Sequence, residues 1–98
     1  MDRNGYSPSV IDRLDDEKCF KCWKSGGLVR HEVFHGSNRT RSKALGCWVR
    51  LCPQCHEQVH VKDGTLDAEL KKAGQKAAMR HYGWTVEEFR RRFGKNYL

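Results

Sequence analysis

Two cysteine pairs and three histidines carry the chemistry this sequence offers. Cys52 and Cys55, in Leu51-Cys52-Pro53-Gln54-Cys55-His56, stand at the C-x-x-C spacing. That spacing puts two thiolates on neighbouring corners of a tetrahedron around Zn²⁺. Cys19 and Cys22 form a second such half upstream, separated from the first by 29 residues. Together the four read as a structural zinc site with all-cysteine ligation. His56 and His60 follow four residues apart, so on a helix opened by Pro53 both imidazoles project from one face. His31 lies in a β-rich stretch between the cysteine halves, which the same zinc would tie to that helix. His31, His56 and His60 therefore read as a second, histidine-ligated metal site.

The elements that must position these residues can be read around them. Residues 1–18 are a polar arm with no sustained period, in which Ser9 can cap a short turn that lays Val10, Ile11 and Leu14 on the body; the acids Asp15, Asp16 and Glu17 follow. Cys19 to Cys22 is a tight knuckle left through Lys24-Ser25-Gly26-Gly27. Leu28 to Phe34 reads as a strand, whose alternation sends His31 and Val33 to one face and Arg30, Glu32 and Phe34 to the other. His35 to Lys43 reads as a polar loop with the cations Arg39, Arg41 and Lys43 and no acid, a composition suited to phosphate. Gly46 to Leu51 is a second strand running into the Cys52 knuckle. These parts make a ββα unit, residues 19–62, with its ends pinned by four cysteines.

Beyond His60 the signals turn helical. Asp63-Gly64 is a stop, and a helix begins at Thr65 with Leu66, Leu70, Ala73, Ala77 and Met79 facing the body until His81-Tyr82-Gly83 ends it. Thr85-Val86-Glu87-Glu88 is a capping box that opens a last helix carrying Phe89 and Phe93, closed by Gly94. Arg90, Arg91 and Arg92 fan around it. Residues 63–98 are thus a helical extension packed on the core as one domain, and the fold class is a small zinc-stapled α+β.

Composition bounds the partners. With 19 Lys and Arg against 12 acids, the net charge of +7 favours a polyanion such as nucleic acid. At 98 residues the chain is short enough for a structural metal to supplement its core noticeably. No apolar run approaches the roughly 18 to 20 residues that span a bilayer, and the N-terminus has no apolar signal core, so the expectation is a cytoplasmic protein without a membrane partner. Five cysteines, an odd number, fit four ligands and a spare better than disulfides there. The C-x-x-C spacing also serves thiol redox proteins, but the βαβ unit that houses it there is not readable here.

His31-Glu32-Val33, the basic segment, and Cys47-Trp48-Val49-Arg50-Leu51-Cys52-Pro53-Gln54-Cys55-His56 with His60 resemble the HNH endonuclease motif, also called ββα-metal or His-Me finger, in its four-cysteine form. The resemblance covers residues 19–60, and the tail Phe89-Arg90-Arg91-Arg92-Phe93-Gly94-Lys95-Asn96-Tyr97-Leu98 is similar to the end of small phage and prophage HNH nucleases. It implies metal-dependent hydrolysis of DNA phosphodiesters, by nicking or double-strand cleavage, in a bacterial or phage-infected cell. The catalytic ion would be Mg²⁺, Mn²⁺, Ni²⁺ or Zn²⁺, beside a structural Zn²⁺ on Cys19, Cys22, Cys52 and Cys55.

Carried over by position, the resemblance makes His31 a metal ligand and His56 and His60 the helix ligands. Glu32 stands where the family has its water-activating His, and Cys47 where it has an Asn that braces the loop. A thiol makes a poor substitute for that amide. The general base is then Glu32 with a raised pKa, or His31, or His35 folding back from the loop. Arg39, Arg41, Lys43 and Arg50 are the candidates for gripping DNA. Nothing resembles a base-reading element, so little sequence preference is expected; a homodimer is possible but not indicated by the sequence. The competing reading is a non-catalytic zinc module that binds nucleic acid or protein, which has no use for three converging histidines.

Overall fold

A computed structural model describes residues 1–12, 17–61 and 64–98. Leu14, Asp15, Asp16 and Asp63 lie outside the described residues. The rest form a small α+β unit of one two-stranded antiparallel hairpin and four helices.

β1 (Val29–Glu32) pairs with β2 (Trp48–Leu51), His31 opposite Val49 and Glu32 opposite Trp48. Both strands are shorter than their β-rich stretches. The pairing runs on only to the bond from Val33 N–H to Cys47 O, after which the chain bends. Alternation holds within the hairpin. His31 and Val49 share one face, and Glu32 and Trp48 share the other.

The segment expected as a basic loop is partly helical: a single 3-10 turn (Gly36–Asn38) leads into α1 (Arg39–Ala44). Its polar composition hid the reason. Ser42 is fully buried, and its Oγ donates to Cys47 O at 2.5 Å while accepting Phe34 N–H at 3.1 Å. One hydroxyl thus locks the helix to the ends of both strands, the bracing that Cys47 cannot supply. The Cys47 thiol is wholly buried and reaches only Leu45 O at 3.8 Å.

α2 (Pro53–Val59) starts with Pro at its first position and ends at His60. α3 (Thr65–Tyr82) begins after left-handed Gly64 and stops at left-handed Gly83. α4 (Val86–Phe93) is capped as its sequence predicts, Thr85 Oγ1 accepting Glu88 N–H at 3.1 Å, and closes at left-handed Gly94. The buried stripe of α3 is Leu66, Leu70, Gly74, Gln75 and Ala78, shifted from the expected one, since Ala73 and Ala77 are only half-buried. Two interactions shift it. Gly74 admits Val33 and Phe34 so closely that a Cβ there would meet them at 3.0 and 3.3 Å. Gln75 sits fully buried because its amide holds Asn96 Oδ1 and Tyr97 N–H of the tail.

Phe34 is the centre of the core, its ring 4.6 to 5.3 Å from those of Phe89, Phe93 and Tyr97. Such aromatic pairs add to the burial of their own area. The N-terminal arm packs on the other face of the hairpin. Trp48 Nε1 donates to Ser7 O at 2.7 Å, Ser9 Oγ donates to Trp48 O at 2.6 Å, and Asp12 accepts Arg50 N–H at 2.7 Å. Ser9 Oγ also accepts the N–H groups of Ile11 and Asp12, the cap its sequence suggests.

Candidate metal centres and cavity

The four cysteines converge, every Sγ lying within 4.8 Å of the others. Cys22 and Cys52 Sγ are 3.6 Å apart. Two thiolates on a tetrahedral zinc at ~2.3 Å stand roughly 3.8 Å from each other, whereas a disulfide needs ~2.0 Å. The cluster is close enough to bind a metal ion and is consistent with structural zinc. Burial pushes Cys19 up, but backbone N–H groups of Cys22 and Cys52 pull it down to about 6. Cys55 is driven the other way by burial and by its sulfur neighbours. Four thiolates this close ionise together only around a cation. Cys47 is the spare, its thiol pushed up to about 12 by burial.

The three histidines converge as well. One ring nitrogen of each of His31, His56 and His60 lies within 4.8 Å of the others, and their ring centroids are 5.1 to 6.0 Å apart. His31 comes from β1, His56 from α2 and His60 from the residue that ends α2. His31 is 4% exposed, and its Nε2 is buried with no hydrogen-bond partner among the described residues. Burial, followed by the neighbouring His56, His35 and His60, lowers its pKa to about 4, so the imidazole is neutral at neutral pH. A neutral ring with a buried, unpartnered nitrogen beside two other imidazoles could hold a metal ion. Left unmade, such a group costs about 1–3 kcal/mol. The donors therefore fit a divalent cation.

These rings form one wall of a cavity of about 470 Å³, whose other walls are Tyr6, Arg30, Glu32, His35, Gly36 and Arg39. β1 is paired on one edge only, which lets residues of both its faces reach this space. Glu32 is 8% exposed and doubly held: Tyr6 Oη donates to its Oε2 at 2.6 Å and Arg39 Nε to its Oε1 at 2.6 Å. Burial alone would raise its pKa, but those two donors and the Arg39 charge bring it below the usual range. His35 Nε2 stands 2.9 Å from Asp67 Oδ1 on α3, and Asp67 Oδ2 is 2.9 Å from Lys71 Nζ. No protein-family model, curated protein or solved structure matches the chain. The chemistry of the site is therefore carried by its own residues.

Of the four cations expected to face DNA, the cavity holds only Arg39. Arg41 is exposed and donates to Asn38 Oδ1 at 3.0 Å. Lys43 lies over the Tyr6 ring, 4.7 Å from its centre. Arg50 is turned inward, its side chain 16% exposed and its Nε 3.6 Å from Asp12 Oδ2. Arg30 takes a place the sequence did not assign, over the Tyr6 ring at 4.3 Å and bonded to Asp2 at 2.7 Å. Tyr6 and Asp67 are likewise unforeseen. Arg30 had a signal, being a strand cation beside His31. Tyr6 and Asp67 had none, for they arrive from elements remote in sequence.

Proposed function

We propose that this chain is a metal-dependent DNA endonuclease of the HNH, or ββα-metal, type, stapled by a structural zinc on Cys19, Cys22, Cys52 and Cys55. The observation that carries the reading is the orphaned, buried Nε2 of His31, in a ring that stands against those of His56 and His60. A module that only binds has no reason to bury an unsatisfied imidazole opposite two others. The hairpin with its following helix supports the reading too, because it sets one ligand on a strand and two on a helix.

His31, His56 and His60 hold a divalent cation, which when bound polarises a phosphodiester and stabilises the charge that develops on the leaving oxygen. Mg²⁺, Mn²⁺, Ni²⁺ and Zn²⁺ are the candidate ions. Arg39 lines the same cavity with its Nε fixed on Glu32, and both its Nη groups remain without a protein partner among the described residues. A guanidinium held this way presents two donors to a phosphate. The net charge of +7 supplies attraction for DNA that does not depend on sequence. The protein acts in the cytoplasm of a bacterial or phage-infected cell, with nicking and double-strand cleavage both compatible with one such site.

One observation favours a second reading, a zinc-stabilised binding module without activity. Glu32 stands where the family places its water-activating His, and both its oxygens are engaged. Nicking of supercoiled plasmid with Mg²⁺, Mn²⁺, Ni²⁺ or EDTA separates the two. Metal-dependent open circles that vanish in His56→Ala, with equal zinc content in both proteins, establish the nuclease. DNA binding without cutting under every metal makes the module the better reading.

A further inference from the structure

His35 and Asp67 form a pair that the metal ligands do not account for. Their atoms are 32 residues apart in sequence and 2.9 Å apart in space. An ionised carboxylate only accepts, so Nε2 of His35 carries the hydrogen of that bond, and in the neutral ring Nδ1 carries the lone pair. That Nδ1 has no protein partner among the described residues. The ring borders the cavity, with its centre 6.0 Å from that of His31. Asp67 is itself fixed by Lys71 on the next turn of α3. The imidazole is therefore oriented by a carboxylate that cannot easily turn away.

Glu32 has the opposite disposition. Tyr6 occupies one of its oxygens and Arg39 the other, both at 2.6 Å. Both donors and the Arg39 charge favour the ionised carboxylate, which makes it a weak acceptor for a water proton.

We propose that His35, oriented by Asp67, is the proton acceptor for the attacking water, and that Glu32 serves to position Arg39. The proposal rests on the nuclease reading above and names the base within it. The water oxygen forms its bond to phosphorus as the bond from phosphorus to the leaving oxygen breaks. The water proton passes to Nδ1 of His35, the leaving oxygen takes a proton from solvent, and His35 then releases its own to solvent. His35 is a catalytic residue in this scheme; Asp67 and Glu32 are positioning residues. It also gives α3, outside the hairpin-helix core, a place in the chemistry.

The test is single-turnover nicking of supercoiled plasmid by the full chain in the metal that supports wild-type activity. His35→Ala, Asp67→Asn, Glu32→Gln and Glu32→Ala are compared, with and without added imidazole or formate. Loss of a general base lowers the rate by roughly 10²- to 10⁴-fold. We expect His35→Ala to fall in that range and to recover partly with imidazole, Asp67→Asn to lose less, and Glu32→Gln to lose less than His35→Ala. The His35 side chain is 43% exposed, so its truncation leaves the core packing alone. Zinc content and circular dichroism check that, and His35→Asn is the second variant at the position. Rescue of Glu32→Ala by formate, or a His35→Ala rate close to wild type, overturns the assignment while the nuclease stands. A wild-type protein that nicks under no metal removes the nuclease reading and this assignment with it.

Discussion

Tyr6 Oη donates a 2.6 Å hydrogen bond to Glu32 Oε2 across 26 residues of sequence. The bond makes the N-terminal arm a wall of the cavity rather than a loose tail. Arg30, stacked on the same ring and tied to Asp2, holds the arm from the other side.

Tyr6→Phe removes that bond and leaves Arg39 as the one partner of the Glu32 carboxylate among the described residues. The cost is about 1 kcal/mol, since the bond is to a charged group but only partly shielded. Chemical denaturation of the two proteins measures it. Burial and the Glu32 carboxylate raise the Tyr6 pKa from 10.0 to about 12. The folded state therefore keeps this proton longer than the unfolded chain. Its contribution is complete below pH 10 and is lost as pH rises toward 12. Absorbance titration of tyrosinate should show a late-ionising component in the wild type that Tyr6→Phe lacks.

Ser42→Ala should be among the more damaging single changes. It leaves Phe34 N–H and Cys47 O without the hydroxyl that serves both, in a fully buried place. Cys47 O still accepts Val33 N–H at 3.0 Å, so the one stranded group is Phe34 N–H, at a cost of roughly 1–3 kcal/mol. Cys47→Ala at the neighbouring position should cost less, because its thiol has only a 3.8 Å contact to Leu45 O. A Cys47→Ala loss larger than that of Ser42→Ala in urea unfolding would refute this account of the bracing.

On the proposed two-site reading, removal of the metal from the cysteines and removal of a histidine should separate. A strong chelator, or Cys22→Ser, takes away the cation that lets crowded thiolates ionise, so the fold loosens and the far-ultraviolet signal falls. His56→Ala keeps that signal and the zinc, because His56 is half-exposed at the cavity rim. Unfolding of His56→Ala would mean that the two sites do not act independently.

Gly46→Ala should detach the arm. Gly46 has φ +73°, and a Cβ there would stand 2.2 Å from Pro8 O. Val10 N–H bonds to Gly46 O at 2.9 Å, so the two segments are already in contact. A strained residue and a backbone clash together cost at least about 2 kcal/mol. Faster proteolysis within residues 1–12, at a lower melting temperature, is the expected result.

The convergence of the four cysteines and of the three histidines, and most helix ends, were legible in the sequence. C-x-x-C and the four-residue step from His56 to His60 are short-range geometry, fixed by the backbone once the local element forms. Pro53, Thr85, Gly83 and Gly94 mark ends through φ preference and caps, which act over a few residues. The helix in the basic segment was not legible, because what anchors it, Ser42, bonds to partners set by the hairpin. Tertiary structure alone decided the cavity's other walls. Tyr6, Arg39 and Asp67 reach Glu32 and His35 from the arm, from α1 and from α3. Nothing in their spacing announces this, because the contacts follow from packing the arm, α1 and α3 against the hairpin. The sequence thus determined which residues can hold metal. The packing decided which side chains face it, engaging both oxygens of Glu32 and leaving Nδ1 of His35 free.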